Sequence, residues 1–179
     1  MLYIGIDLGT SAMKLLLMDA EGQIKNVVSK EYPLEFPQPG WSQQRPEDWA
    51  QALMEGIPEL LTGFDGSQVA GIGAGGQMHG LVVLDEDDNV IRPAILWNDG
   101  RTAKQVDYLN NDITKEKLSQ LTANIAFAGF TAPKVLWVKE NEPENFAKIE
   151  KEKSNINSIY FTFKYESKKD NFGSSSGGS

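Results

Sequence analysis

Apolar and polar positions divide the opening of the chain into short blocks. Residues 2–7, 13–19 and 24–32 are strand-like runs separated by turns at 8–12 and 21–22, which predicts three strands in succession. Residues 15–18 are apolar without alternation, the pattern expected of a strand covered on both faces. A loop with Pro33, Pro37, Pro39 and Gly40 follows. Pro46 then suits a first helical position, with Glu47 and Asp48 in the first turn where the helix dipole favours acids. Trp49, Ala52, Leu53, Gly56, Ile57, Leu60 and Leu61 recur at helical spacing, and Pro58 is expected to kink or split that helix.

Residues 69–74 predict a fourth strand, ending in Gly75-Gly76-Gln77-Met78-His79-Gly80. Residues 81–84 and 90–91 read as a hairpin around the acidic turn 85–89. Glu86-Asp87-Asp88 lacks calcium-loop spacing and reads as a solvated tip. A short apolar run at 94–97 leads into Asn98-Asp99-Gly100-Arg101, and helical patterns return over 101–110, 114–121, 131–140 and 143–151. From Ser154 the character changes. Residues 156–165 carry strand-like aromatics, 168–171 are polar, and 173–179 are Gly and Ser alone. The expected division is a domain over 1–150, a divergent segment over 151–172 and a flexible tail over 173–179.

Composition narrows the chemistry. The 179 residues, 40% hydrophobic and 23% charged, suit one globular domain of the cytoplasm, with no apolar stretch of membrane-spanning length. Zero Cys and one His leave carboxylates as the metal-binding groups, which favours Mg²⁺ over zinc. The net charge of −8 argues against a nucleic-acid partner, because phosphate backbones need a basic face. Residues 151–179 carry +2, so the first 150 carry −10. An acidic body of this kind would hold a phosphorylated ligand through Mg²⁺, backbone amides and a few placed cations.

Three strings carry candidate chemistry. Asp7-Leu8-Gly9-Thr10-Ser11 ends a strand in a carboxylate and a glycine-hydroxyl-hydroxyl turn. Gly9 would let the backbone approach a phosphate, Thr10 and Ser11 would point hydroxyls at it, and Asp7 would hold a hydrated Mg²⁺. An ordinary hairpin with turn-satisfying Asp and Thr is the alternative. Lys14 could pair with that phosphate or reach solvent. In the second string, Gln77, Met78 and His79 offer amide, thioether and imidazole at a strand end, where α/β sheets bind ligands. In the third, Trp97, Asn98 and Asp99 can stack on a sugar ring and bond its hydroxyls, and Asn98 or Asp99 can also cap a helix starting near Arg101. Trp41 before a helix reads as pocket lining or core packing.

Three strands, a helix and a fourth strand resemble the opening of the ribonuclease-H-like fold of the actin-like ATPase superfamily, an α/β class. The strings Ile4-Gly5-Ile6-Asp7-Leu8-Gly9-Thr10-Ser11, Gly40-Trp41-Ser42-Gln43 and Gly76-Gln77-Met78-His79-Gly80 add detail to that resemblance. So do Pro93-Ala94-Ile95-Leu96-Trp97-Asn98-Asp99-Gly100-Arg101 and Gly129-Phe130-Thr131-Ala132-Pro133-Lys134. Together they resemble the N-terminal part of the FGGY carbohydrate kinases, the xylulokinase branch above all, over about residues 1–150. Glycerol kinases carry an Arg-Glu pair where this chain has Met78-His79.

The resemblance implies ATP and Mg²⁺ as cofactors and a ketose, D-xylulose or similar, as substrate. It implies Asp7 beside Mg²⁺ and the transferred phosphate, Gly9, Thr10 and Ser11 around that phosphate, and Met78 and His79 on the sugar. The family's catalytic Asp and adenosine pocket belong to later sequence, so a truncated N-terminal domain, inactive alone and prone to associate through an exposed edge, is the expectation. A non-catalytic actin-like or sugar-binding module is the alternative. A ribonuclease-H-like nuclease fits less well, because the fourth strand ends in Gln-Met-His instead of carboxylates.

Overall fold

A computed structural model describes residues 1–149; the expected segments 151–172 and 173–179 lie outside the described residues. Three strands form in succession, β1 (Leu2–Leu8), β2 (Ala12–Asp19) and β3 (Ile24–Glu31), paired antiparallel as a meander. After the two-residue β4 (Gln43–Gln44), helix α1 (Pro46–Leu60) carries the chain back to β5 (Val69–Gly76) through a 3₁₀ turn at Gly66–Gln68. The sheet order is β3-β2-β1-β5, and β5 runs parallel to β1. That crossover places the C-terminal ends of β1 and β5 side by side.

The remaining elements build a second layer beside the sheet. β6 (Ala94–Ile95) pairs with β4, and α2 (Ala103–Asp107) continues into a π-helical turn at Tyr108–Asp112. Then come α3 (Lys115–Thr122), α4 (Thr131–Asn141) and α5 (Pro143–Lys148). The expected hairpin over 81–91 reduces to one bridge between Leu84 and Val90, closed by Asp85 accepting from the amides of Asp87 and Asn89.

The main core lies between the sheet and α1. Leu2, Ile4 and Leu8 of β1, Met13, Leu15 and Leu17 of β2 and Val28 of β3 pack with Trp49, Ala52 and Leu60 of α1. Each such side chain, fully buried, contributes about 1.5–3 kcal/mol of transfer free energy. A second cluster joins Leu81, Val83 and Ile95 to Trp137 and Val138 of α4.

Two expectations change. β2 alternates in burial: Met13, Leu15 and Leu17 are buried, while Leu16 and Met18 are half-buried on the opposite face. Helix α1 packs on one face of β2 and β3, so one face alone is fully covered by the described residues. Pro58 does not split α1, which continues through it to Leu60. Proline removes the single N–H that would reach the carbonyl four residues back, and the ladder resumes beyond it, with Leu61 N–H reaching Ile57 O at 3.1 Å.

Gly56 shows how closely helix and sheet meet. A Cβ there would lie 2.3 Å from Cδ1 of Leu15, a residue with no exposed surface. Gly56→Ala should therefore destabilise the fold by about 1–3 kcal/mol through overpacking, despite alanine's better helix propensity. A lowered urea midpoint at unchanged m-value would register it.

Candidate active site

Parallel pairing of β1 and β5 sets Asp7 opposite Gly75 and Leu8 opposite Gly76. The Gln77 amide continues the ladder to Leu8 O at 2.7 Å. Beyond the strand ends lies an open cleft of about 360 Å³, lined by Asp7, Gly9, Thr10, Gly76, Gln77, Met78 and Trp97. The turn after β1 and the turn after β5 thus share one cleft, and Trp97 joins them from the second layer. Asp7 is exposed there, and Met78 keeps 67% of its surface exposed.

The glycines serve the backbone more than a ligand. Gly9 N–H donates to Ala12 O at 3.0 Å, and a Cβ at Gly9 would lie 2.9 Å from that oxygen. The Gly9 amide is therefore engaged in closing the turn. The Thr10 and Ser11 amides have no partner among the described residues and remain available. At Gly76 a Cβ would meet Leu8 Cβ at 2.8 Å, so that glycine permits the strand pairing itself.

Thr10 bonds within the cleft wall. Its hydroxyl accepts from Trp97 Nε1 at 3.1 Å and donates to Gln77 Oε1 at 3.3 Å, so its proton faces the cleft wall. Gln77 Nε2 donates to Gln44 Oε1 at 3.2 Å. Gln44, buried behind the wall, donates to Thr10 O at 2.6 Å and Pro33 O at 3.2 Å, and accepts from Trp49 Nε1 at 3.2 Å. Tyr32 supports the same turn, its hydroxyl donating to Gly9 O. Burial, reinforced by the Asp7 charge, pushes the Tyr32 phenol up to about 12, so it stays a donor through the ordinary pH range.

Ser11 and Lys14 are exposed and lie off the cleft lining. Lys14 pairs with Asp7 across β1 and β2, which puts both on one face of the sheet. His79 also lies off the lining: it adopts φ of +62°, and its ring rests 4.7 Å from that of Phe130. Asn98 is exposed. Asp99 is not. Its Oδ1 accepts from Arg101 N and Nε, both at 2.9 Å, and its Oδ2 from Ser42 N at 2.6 Å and Arg101 Nη2 at 2.8 Å. A carboxylate filled in this way, at 1% exposure, ties loops together, and neither a sugar contact nor a helix cap is left to it. Helix α2 starts later, behind Thr102. The Arg101 guanidinium lies 4.0 Å from the Trp41 ring, which resolves Trp41 as packing.

Gln44, Tyr32 and Lys134 support the turns beside the cleft; the pattern of the sequence gave Gln44 and Tyr32 no role and carried Lys134 only within a resemblance string. Gln44 directly follows Trp41-Ser42-Gln43, and a glutamine on a core-facing strand position was the available signal. Lys134 is fully buried, and its Nζ donates to His79 O and Gly129 O, both at 2.7 Å. Those bonds tie the start of α4 to the turn after β5.

Desolvation lowers the Lys134 ammonium to about 8; Asp99 opposes that shift and Arg101 adds to it. A neutral amine still has the two N–H donors that its two carbonyls require. Among the described residues no group of three or more His, Asp or Glu side chains could hold a metal ion.

A mixed sheet with a carboxylate turn and a Gln-Met-His turn at neighbouring parallel strand ends is a fold that this chain shares with solved actin-like sugar kinases. The model of the FGGY family of carbohydrate kinases, N-terminal domain, matches residues 2–165, and the chain belongs to that family. It is 47% identical over 151 residues to a xylulose kinase of Lactococcus lactis, covering 83% of this chain and 30% of that protein. It is also 47% identical over 147 residues to a xylulose kinase of Bacillus subtilis, covering 81% and 29%. The crystal structure of a xyloylose kinase from Brucella ovis superposes with a TM-score of 0.77 at 42% identity, covering 83% of this chain and 31% of that one. The chain spans about 30% of the length of the curated relatives it matches. The family consists of ATP-dependent sugar phosphotransferases, and the ribonuclease-H-like, actin-like fold is that of its solved members. No described helix is long and apolar enough to cross a membrane.

Lys134 yields a pH test with a defined sign. Between about pH 8 and the unfolded lysine value near 10.5, the unfolded chain binds the extra proton, so stability should rise with pH by up to about 1.4 kcal/mol per unit. Lys134→Met should remove that rise. Urea unfolding of both proteins at pH 7.5, 9 and 10 measures the difference.

Proposed function

We propose that this chain provides the sugar-binding and phosphate-binding wall of a kinase that phosphorylates D-xylulose to xylulose 5-phosphate. The observation that carries this reading is the single cleft joining Asp7 to Gln77 and Met78. Trp97 supplies an aromatic wall for a ketose, with Met78, His79 and the exposed Asn98 nearby in sequence or at the rim. The Thr10 and Ser11 amides are the donors left for a phosphate, with Lys14 on the same sheet face as Asp7.

The residues present fit a nucleotide phosphate carrying Mg²⁺ in one respect, the exposed Asp7 carboxylate beside unpartnered amides. Asp7 would hold the hydrated ion, which when bound neutralises charge on the phosphates during transfer. Phosphoryl transfer needs positioning and charge neutralisation above covalent chemistry, and it needs a base for the sugar hydroxyl proton. Asp7 is the one carboxylate of the cleft lining and is assigned to the phosphate side. The chain alone therefore binds sugar weakly and does not turn over.

D-Xylulose should change Trp97 fluorescence in the full chain, and Trp97→Phe should abolish the response. A coupled assay with ATP, Mg²⁺ and D-xylulose should release no ADP above a blank. Turnover would overturn the inactivity, and a flat titration would overturn the sugar site.

The edge strand supports self-association. β5 ends the sheet order, most of its residues are exposed, and Ile72 keeps 60% of its surface in solvent. Sedimentation should show concentration-dependent dimers, and Ile72→Lys should shift them toward monomer.

A further inference from the structure

The buried Gln44 carboxamide uses its full bonding capacity, two donors on Nε2 and two accepting sites on Oε1. Its four partners lie on four separate segments: the turn after β1, the loop after β3, helix α1 and the turn after β5. The chemistry fixes every orientation in turn. Carbonyls of Thr10 and Pro33 demand Nε2, so Oε1 faces Trp49 and Gln77. Gln77 must then present Nε2 to Gln44 and Oε1 to Thr10. The Thr10 hydroxyl must donate, and its oxygen receives the indole N–H of Trp97, which can only donate.

The bonds therefore run one way, from Trp97 through Thr10 and Gln77 to Gln44, with Trp49 donating in from the far side. A chain of this kind links the phosphate-side turn to the sugar-side wall, and each bond polarises the next. Gln44 itself is 1% exposed and absent from the cleft lining, so it can act only through the residues it holds.

We infer that Gln44 is a positioning residue that sets the relative placement of the two halves of the cleft, the Thr10 turn on one side and Gln77 with Trp97 on the other. Its consequence for sugar binding rests on the function proposed above; the coupling between the two turns does not.

Indole N–H signals in ¹⁵N–¹H spectra of the full chain read the coupling, with Trp→Phe variants assigning those of Trp49 and Trp97 among the four tryptophans. Gln77→Leu, at the cleft wall, is expected to shift the Trp49 signal as well as that of Trp97. Gln44→Met, behind the wall, is expected to shift Trp97 and to weaken D-xylulose binding about tenfold or more. Val138→Ala, a core truncation in the second cluster, should lower stability and leave both signals in place.

An unmoved Trp49 signal in Gln77→Leu, or an unmoved Trp97 signal in folded Gln44→Met, overturns the inference. So do shifted signals with unchanged sugar affinity. Should Gln44→Met fail to fold, Gln77→Leu decides the coupling alone. Should the unaltered chain not bind D-xylulose, the sugar reading falls while the resonances still decide this inference.

Discussion

Parallel alignment of β1 with β5 is the constraint on which the cleft depends. With antiparallel neighbours, the turns after these strands would leave opposite ends of the sheet. In parallel register the Asp7 turn and the Gln77 turn emerge side by side, and the Gln77 amide extends the ladder by one bond to Leu8 O. The close approach needs Gly76, because a side chain there would strike Leu8. A parallel pair also requires a crossover, and α1 provides it while covering Leu15 and Leu17 with Trp49 and Ala52. One helix therefore builds the core and sets the cleft geometry.

Local signals carried much of this architecture. Strand boundaries of β1, β2 and β3, the Pro46 start of α1 and the strand ending at the Gln-Met-His turn follow from apolar runs and turn residues, which act over a few neighbours. The parallel pairing of β5 with β1 was not legible, because nothing local to 69–76 specifies a partner. Pro58 did not split α1 because a proline removes a single N–H and the bonding resumes beyond it, as Leu61 N–H on Ile57 O shows. β2 misled because the sequence registers apolarity, while coverage depends on which elements pack there.

The site residues divide along the same line. Asp7, Gln77, Met78 and Trp97 lie at strand or turn ends that sequence spacing can locate, and all line the cleft. Thr10 and Asp99 were legible as polar groups in the right strings, but the partners of Thr10 lie 67 and 87 positions away, and beside the nearby Arg101 Asp99 holds Ser42, 57 positions away. Distance along the chain hides which hydroxyl proton or carboxylate lone pair is still free. Gln44 was missed for the same reason, since its neighbours are spread over the fold and the residue type alone carries no chemistry.

Charge placement follows from these engagements. The chain is acidic at −8, yet its buried cations do not face the cleft. Arg101 is held by Asp99 and stacked against Trp41, Arg92 is paired with Glu142 at 2.8 Å, and Lys134 serves two carbonyls. A buried cation left without such partners would cost several kcal/mol, so these three are fixed by folding before any ligand arrives. Among the residues lining the cleft there is no Lys or Arg, and Asp7 adds a negative charge. A phosphate entering this half of the site would find amides and a carboxylate, an arrangement that favours an anion accompanied by its own cation over a bare one. Under the function proposed above, the same division is how an acidic lobe would take part in phosphate chemistry. The charge of these three buried cations is committed to holding other segments in place, and neutralisation within the cleft lining falls to dipoles and to whatever the ligand brings.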